Sequence, residues 1–244
     1  MKFNLKRHEV YNLKRIFLFL ILVAATGTLT VSSLFAQDIQ TADRYFDKIS
    51  QTYAKIQDYE AHITITQGTT VMKGTIFYKK PDLIRIDFTD PKDQVIVSNG
   101  DTLTIYIPKQ SAVFQQSLKQ AGGQAVGAPS LANEEGLQLL RKNYSIAYLE
   151  SPTPVPLDKG STEKVVKLKL EWRSTGEGFR QLELDIGDQN NLIRRIIGVS
   201  ANYEKTQFDF TNIQVNQNLP NGRFNYNPPQ TANIYPNFLF VPQS

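Results

Sequence analysis

The hydrophobic pattern changes period once near the start of the chain. From Thr41 to Tyr59 apolar residues fall at Ala42, Tyr45, Phe46, Ile49, Tyr53 and Ile56, the three-and-four spacing of an amphipathic helix. Thr41 is a suitable N-cap and Asp43 puts an acid where the helix dipole favours one, so the spacing predicts a helix over 41–59. From Ala61 the period becomes two. Alternating runs at 61–66, 72–80, 83–88, 94–98 and 101–107 are separated by turn signals at Gly68, Pro81-Asp82, 89–93 and Asn99-Gly100. Such short, closely joined runs predict an antiparallel meander. Alternation resumes at 164–172, 178–186, 192–200 and 206–213, with a short last strand predicted at 223–226. Between the two sets, 111–160 is rich in glycine and proline and reads as a flexible segment holding one helix, Leu131–Lys142.

These elements predict an α+β fold: a large, curved antiparallel sheet of about ten strands with helices on one side. Each strand has one apolar face, set by Ile63 and Ile65, Ile76 and Tyr78, Ile84, Ile86 and Phe88, Leu168, Leu170 and Trp172, Leu184, and Phe208 and Phe210. The alternating polar residues, Arg85 and Asp87, Lys167 and Lys169, Glu183 and Asp185, are expected to face water. Two short helices are few for so broad a sheet. The same pattern therefore fits either an ordinary core or a concave apolar surface that shelters something greasy, and periodicity does not decide between them.

Charge changes the picture at one end only. The 244 residues carry 27 Lys and Arg against 23 Asp and Glu, but Lys2, Lys6, Arg7, Lys14 and Arg15 oppose Glu9 alone within 1–36. Residues 37–244 hold 22 of each sign, so no excess remains to neutralise phosphates, and nucleic acid is not an expected partner. The basic start, the apolar Ile16–Ala25 and the small Ala36 together read as an export signal over 1–36, cleaved before Gln37. The competing reading is an uncleaved membrane anchor, since Ile16–Phe35 is 20 residues long, but Thr26, Gly27, Thr28, Thr30, Ser32 and Ser33 dilute its second half. Residues 37–244 fit a single domain in the bacterial periplasm.

Candidate chemistry is sparse. The absence of cysteine excludes disulfides and thiolate catalysis, and His62 is the only histidine beyond the leader. A multi-histidine metal site cannot be built, and His62 alternates with Ile63 as a surface strand residue. Asp87, Asp90 and Asp93 are spaced like cation ligands but lack the glycine and closing glutamate of an EF-hand. Glu134 and Glu135 fit the first turn of the second helix, and Arg85 reads as a solvated strand arginine. Neither an enzyme nor a cofactor is expected.

Three segments in order resemble the LolA family of periplasmic lipoprotein carriers. Gly74-Thr-Ile-Phe-Tyr-Lys-Lys-Pro-Asp-Leu-Ile-Arg85 is similar to the family's glycine, aromatic-rich strand and basic residue before a proline. Pro91–Tyr106 resembles its proline, strand, Asn-Gly turn and strand ending in tyrosine, and Thr206–Pro229 resembles its aromatic, asparagine and Pro-Pro ending. The resemblance implies an open, unclosed β-barrel with helices, here about 111–160, as a lid over an apolar cavity for lipoprotein acyl chains. It implies acylated lipoproteins as cargo, an inner-membrane lipoprotein-releasing ABC transporter as donor, an outer-membrane acceptor where one exists, and a monomer. Lys80 stands where family members commonly have an arginine that latches the lid through backbone hydrogen bonds; lysine can donate too, but without the planar fork. Alternative readings are a lipid-sensing envelope regulator of the same fold, which normally carries a second domain that the residues after Tyr226 are too few to form, and a binder of other amphiphiles. An outer-membrane β-barrel fits less well, because several strands are shorter than a bilayer needs.

Overall fold

The computed structural model describes residues 40–118, 132–174 and 178–238. The predicted leader, its cleavage point, Leu131 and the glycines at 122, 123 and 127 lie outside these residues. The described residues form two α-helices and thirteen strands: α1 (Ala42–Ala54), β1 (Asp58–Gln67), β2 (Thr70–Lys79), β3 (Leu83–Asp90), β4 (Val95–Asn99), β5 (Thr102–Ile107), β6 (Ala112–Ser117), α2 (Glu134–Asn143), β7 (Tyr144–Tyr148), β8 (Val155–Pro156), β9 (Lys164–Trp172), β10 (Phe179–Gly187), β11 (Ile193–Ser200), β12 (Lys205–Val215) and β13 (Asn233–Pro236).

The strands form one sheet in the order β13-β6-β5-β4-β3-β2-β1-β12-β11-β10-β9-β7, with β8 paired to β9. All pairs are antiparallel except β13 with β6. The two end strands do not pair with each other, so the barrel is unclosed. Two meanders, β1–β6 and β9–β12, are joined where β1 pairs with β12.

Alternation sorts the two faces across the whole sheet. Reading across the strands at one level, Ala61, Ile76, Ile86, Ile96, Ile105, Phe114 and Tyr235 lie opposite one another in succession on the inner face. On the outer face Lys167, Asp185, Arg195 and Asp209 succeed one another in the same way, an alternation of charge that favours each cross-strand neighbour.

Both helices pack on the inner face. Thr41 caps α1, its hydroxyl accepting from the Arg44 amide at 3.3 Å, and α1 buries Tyr45, Phe46, Ile49 and Tyr53. Asn133 caps α2, its Oδ1 accepting from the Gly136 amide at 2.7 Å, and α2 buries Leu137 and Leu140. The helix predicted to run to Tyr59 stops at Ala54, because Asp58 and Tyr59 already pair with Lys79 and Tyr78 in β1–β2. The first helix and first strand are thus only three residues apart.

Four further expectations are corrected. Residues 111–160 are not only a lid: β6, β7 and β8 come from them and extend the sheet. Residues 223–226 are not a strand; Asn221–Phe224 is a 3₁₀ turn, and the last strand is Asn233–Pro236. Arg85 is not merely solvated. Its Nε lies 2.8 Å from Asp87 Oδ1, and Nη1 donates to the carbonyls of Arg223 at 2.9 Å and Asn225 at 3.3 Å. Asp185 does not face water but is wholly buried on the outer face. His62 is exposed, as expected, with its Nδ1 3.2 Å from Asn212 Nδ2.

The segment after β12 straps the outer face. The Asp58 carboxylate accepts from the amides of Gln217 at 2.7 Å and Leu219 at 3.2 Å, and Lys79 Nζ donates to the Leu219 carbonyl at 2.6 Å. Leu219 and Phe224 then bury against Phe77 and Leu83 as a small second core outside the sheet.

Candidate functional site: the covered inner face

The site is the apolar volume between the sheet and the two helices. Twelve of the thirteen predicted inner-face residues, from Ile63 to Phe210, are buried within one cluster, together with Tyr45, Phe46 and Ile49 of α1 and Leu137 and Leu140 of α2. Trp172 is the exception. It is half-buried against the cluster, with its indole N–H donating to the Tyr144 hydroxyl at 3.0 Å. A side chain at this edge position can keep a polar atom near water while burying its ring.

The space left between these side chains is small. A cavity of about 10 Å³ remains, lined by Tyr53, Ile56, Tyr59, Ala61, Ala132 and Phe210 among others. One water needs about 10–15 Å³ of such space, so this void holds one water at most and no hydrocarbon chain. The helices must move before anything larger can enter.

Polar contacts at one end tie the helices to β2. Tyr78 and Lys80 stand at the end of β2, beside the C-terminus of α1 and the N-terminus of α2. Lys80 Nζ donates to the carbonyl of Ala54, the last residue of α1, at 2.7 Å and to Glu134 Oε2, in the first turn of α2, at 2.6 Å. The Ala54 carbonyl is one of those an α-helix leaves without an internal donor, and it lies at the negative end of the helix dipole. The Tyr78 hydroxyl is 3.2 Å from both the Pro81 carbonyl and Glu135 Oε2. Burial first, and the adjacent Glu135 carboxylate second, raise the Tyr78 phenol well above its ordinary value, so it stays a neutral donor.

A second tie joins the helices to each other. Arg141 of α2 reaches Asp43 Oδ1 at 2.7 Å and Asp47 Oδ1 at 3.1 Å, two acids one turn apart on α1. The Tyr148 hydroxyl donates to the Gln40 carbonyl at 2.9 Å ahead of α1.

Tyrosine hydroxyls line the interior. Tyr53 accepts from the Ile193 amide at 3.0 Å, and burial pushes its phenol up to about 12. Tyr59 packs on Tyr78 with ring centroids 5.3 Å apart, and burial raises its phenol well above the ordinary value.

The residue pattern identified the inner face and placed Lys80 and the two glutamates. It missed the roles of Tyr53, Tyr59 and Arg141. The aromatic richness of α1 was the available signal for the first, and the i, i+4 acids Asp43 and Asp47 for the last. Among the described residues, no cluster of three or more His, Asp or Glu could hold a metal ion, and no helix is long and apolar enough to cross a membrane.

Comparison with known proteins agrees with this arrangement. Residues 62–227 match the family profile described as outer membrane lipoprotein carrier protein LolA. The outer-membrane lipoprotein carrier protein of Pseudoalteromonas translucida (strain TAC 125) is 25% identical over 215 residues, covering 87% of this chain and 94% of its own length. That of Azotobacter vinelandii (strain DJ / ATCC BAA-1303) is 25% identical over 199 residues, covering 80% and 94%. Among solved structures, an uncharacterized conserved protein from Thermus thermophilus shares the fold, with a TM-score of 0.51 at 12% identity over 80% of this chain and 98% of that one. An unclosed, helix-covered sheet with an apolar inner face, matched by a profile that spans most of the sequence, establishes that this chain belongs to the LolA family of outer membrane lipoprotein carriers.

Proposed function

We infer that the protein shelters the acyl chains of lipoproteins between its sheet and its helices while they cross the periplasm from the inner towards the outer membrane. An inner-membrane lipoprotein-releasing ABC transporter would load it, and an outer-membrane acceptor, where present, would unload it. The observation that carries this reading is the contrast between the two faces of the helices. Their buried faces meet a continuous apolar sheet, while a few polar contacts, centred on Lys80, Tyr78 and Arg141, fasten them.

The energies suit a lid. Burying each CH₂ gains roughly 0.8 kcal/mol, so one long acyl chain gains on the order of 10 kcal/mol. A charged hydrogen bond such as those of Lys80 contributes about 1.5–3 kcal/mol, and exposed ion pairs such as those of Arg141 contribute about 0.2–1 kcal/mol each. One acyl chain therefore gains more than the polar fastenings contribute, and the helices keep their own apolar burial by re-packing on the bound chains. In the empty protein, the same fastenings keep the apolar face from water. No catalytic group is needed for this work.

Mass spectrometry of the protein isolated from a native envelope tests the reading. Acylated polypeptides should co-purify with it and disappear when the lipoprotein supply is blocked. Recovery of no acylated polypeptide above that found with an unrelated periplasmic protein would refute it.

A further inference from the structure

Tyr59 combines three features that its neighbours do not share. It is 4% exposed, its hydroxyl has no hydrogen-bond partner among the described residues, and it lines the small interior cavity. The adjacent hydroxyls are engaged, that of Tyr78 by Glu135 and Pro81 and that of Tyr53 by the Ile193 amide. The Tyr45 hydroxyl is also without a partner, but it sits by Tyr148 and is not among the residues lining this cavity. A buried hydroxyl left unpaired destabilises the fold, and a phenylalanine in its place would avoid that cost.

The position of Tyr59 suggests what pairs with it. The cavity is bounded by Ala132, just ahead of α2, and by Ile56, just after α1, so lifting the fastened end of the helices opens it. From Tyr59 the inner face of β1 continues through Ala61 and Ile63 to Ile65, all buried. That run is about 20 Å long at ~3.3 Å per residue, which accommodates an acyl chain the length of one leaflet, about 15 Å. A chain laid along β1 with its tip near Ile65 brings its polar end to Tyr59. That end carries an amide or ester carbonyl, whose oxygen accepts hydrogen bonds and donates none.

We propose that the Tyr59 hydroxyl is the donor that recognises the carbonyl of a bound acyl group, so that the interior selects acyl amides and esters over other chains of equal length. This rests on the lipid-carrier reading and deepens it. The phenol stays protonated throughout, and no bond is made or broken.

The test compares two fluorescent probes with the same dye and a sixteen-carbon chain, one joined as a palmitoyl amide and the other as a hexadecyl group bonded directly to a dye carbon, with no acceptor atom at the junction. The parent protein should bind the amide about tenfold more tightly, as one hydrogen bond of typical strength predicts. Tyr59→Phe should bind both probes with the affinity of the parent for the hexadecyl probe, and should melt at a higher temperature because the unpaired hydroxyl is gone. Equal affinity of the parent for the two probes, or an amide preference unchanged in Tyr59→Phe, overturns the proposal and leaves the hydroxyl as the site of a buried water. If neither probe binds the parent protein, the lipid-carrier reading fails, and the proposal with it.

Discussion

Asp185 shows how a single side chain can depart from its strand's rule. It lies on the polar parity of β10, yet the outer face covers it completely. Lys167 Nζ is 2.8 Å from Oδ2, and Arg195 stands opposite on β11, but Oδ1 has no partner among the described residues. Burial therefore outweighs the cations and pushes the carboxyl up to about 6. A folded-state value above the unfolded one of about 3.9 means that the ionised form carries its full burial penalty above about pH 6. As pH falls through that value, the folded state takes up a proton that the unfolded state does not, and this site's contribution to stability rises. Urea unfolding at about pH 7 and about pH 4.5 should show a relative gain for the parent that Asp185→Asn lacks, by about 1–2 kcal/mol. An identical pH dependence in the two proteins would show that Asp185 titrates normally. Gly74 is explained at the same scale. It stands where the β2–β3 register slips, and a Cβ there would collide with the backbone of Asp87 and Phe88.

At the scale of elements, the question is what fastens α1 and α2. Lys80 holds the end of one and the beginning of the other, while Arg141 ties their exposed sides. With its side chain 20% exposed, Lys80 should matter more than Arg141 at 38%. Lys80→Leu should raise binding of a hydrophobic dye by the empty protein several-fold and slow the release of a bound fluorescent fatty acid. Lys80→Arg should reduce dye binding and quicken release, since a guanidinium's planar fork can grip the Glu134 carboxylate through two donors where the ammonium uses one. Arg141→Ala should change dye binding less than twofold, as expected of exposed pairs. Parental dye binding and release in both Lys80 variants would leave that lysine without a role in closure.

At the scale of the molecule, each side of the sheet carries cover over part of its width. The helices join the inner-face cluster, which stops short of Ile105, Phe114 and Tyr235, and the strap after β12 crosses the outer face of the strands that carry Lys79 and Arg85. Asp58 anchors the start of the strap, and Phe224, 1% exposed, anchors its middle beside Arg223, whose guanidinium lies 4.5 Å over the Phe77 ring. Phe224→Ala should cost about 3–5 kcal/mol if that small outer core is integral to the fold. Thermal unfolding measures it, and a loss below about 1 kcal/mol would mark the strap as an independent appendage.

The two faces of the sheet, the cap of the first helix, the charge balance of residues 37–244 and the place of Lys80 at the end of β2 were legible in the sequence. These rest on local rules: a period of two sorts faces within any strand, and Thr41 can cap only the turn that follows it. The strand signal at β7 was also present, in the alternation of Tyr144, Ile146 and Tyr148, although the surrounding glycines and prolines masked it. Tertiary structure alone decided the rest. The strand β13 is exposed along its length and ends in proline, so no pattern marks it until β6, more than a hundred residues away, supplies its hydrogen bonds. Arg85 and Asp185 follow the polar parity of their strands, but the strap and the neighbouring charges that enclose them come from distant parts of the chain. The Tyr59 hydroxyl is of the same kind: a helical pattern ran through it in sequence, and only the packing of two strands, two helices and one small void shows that its polar end faces an apolar interior with no partner among the described residues.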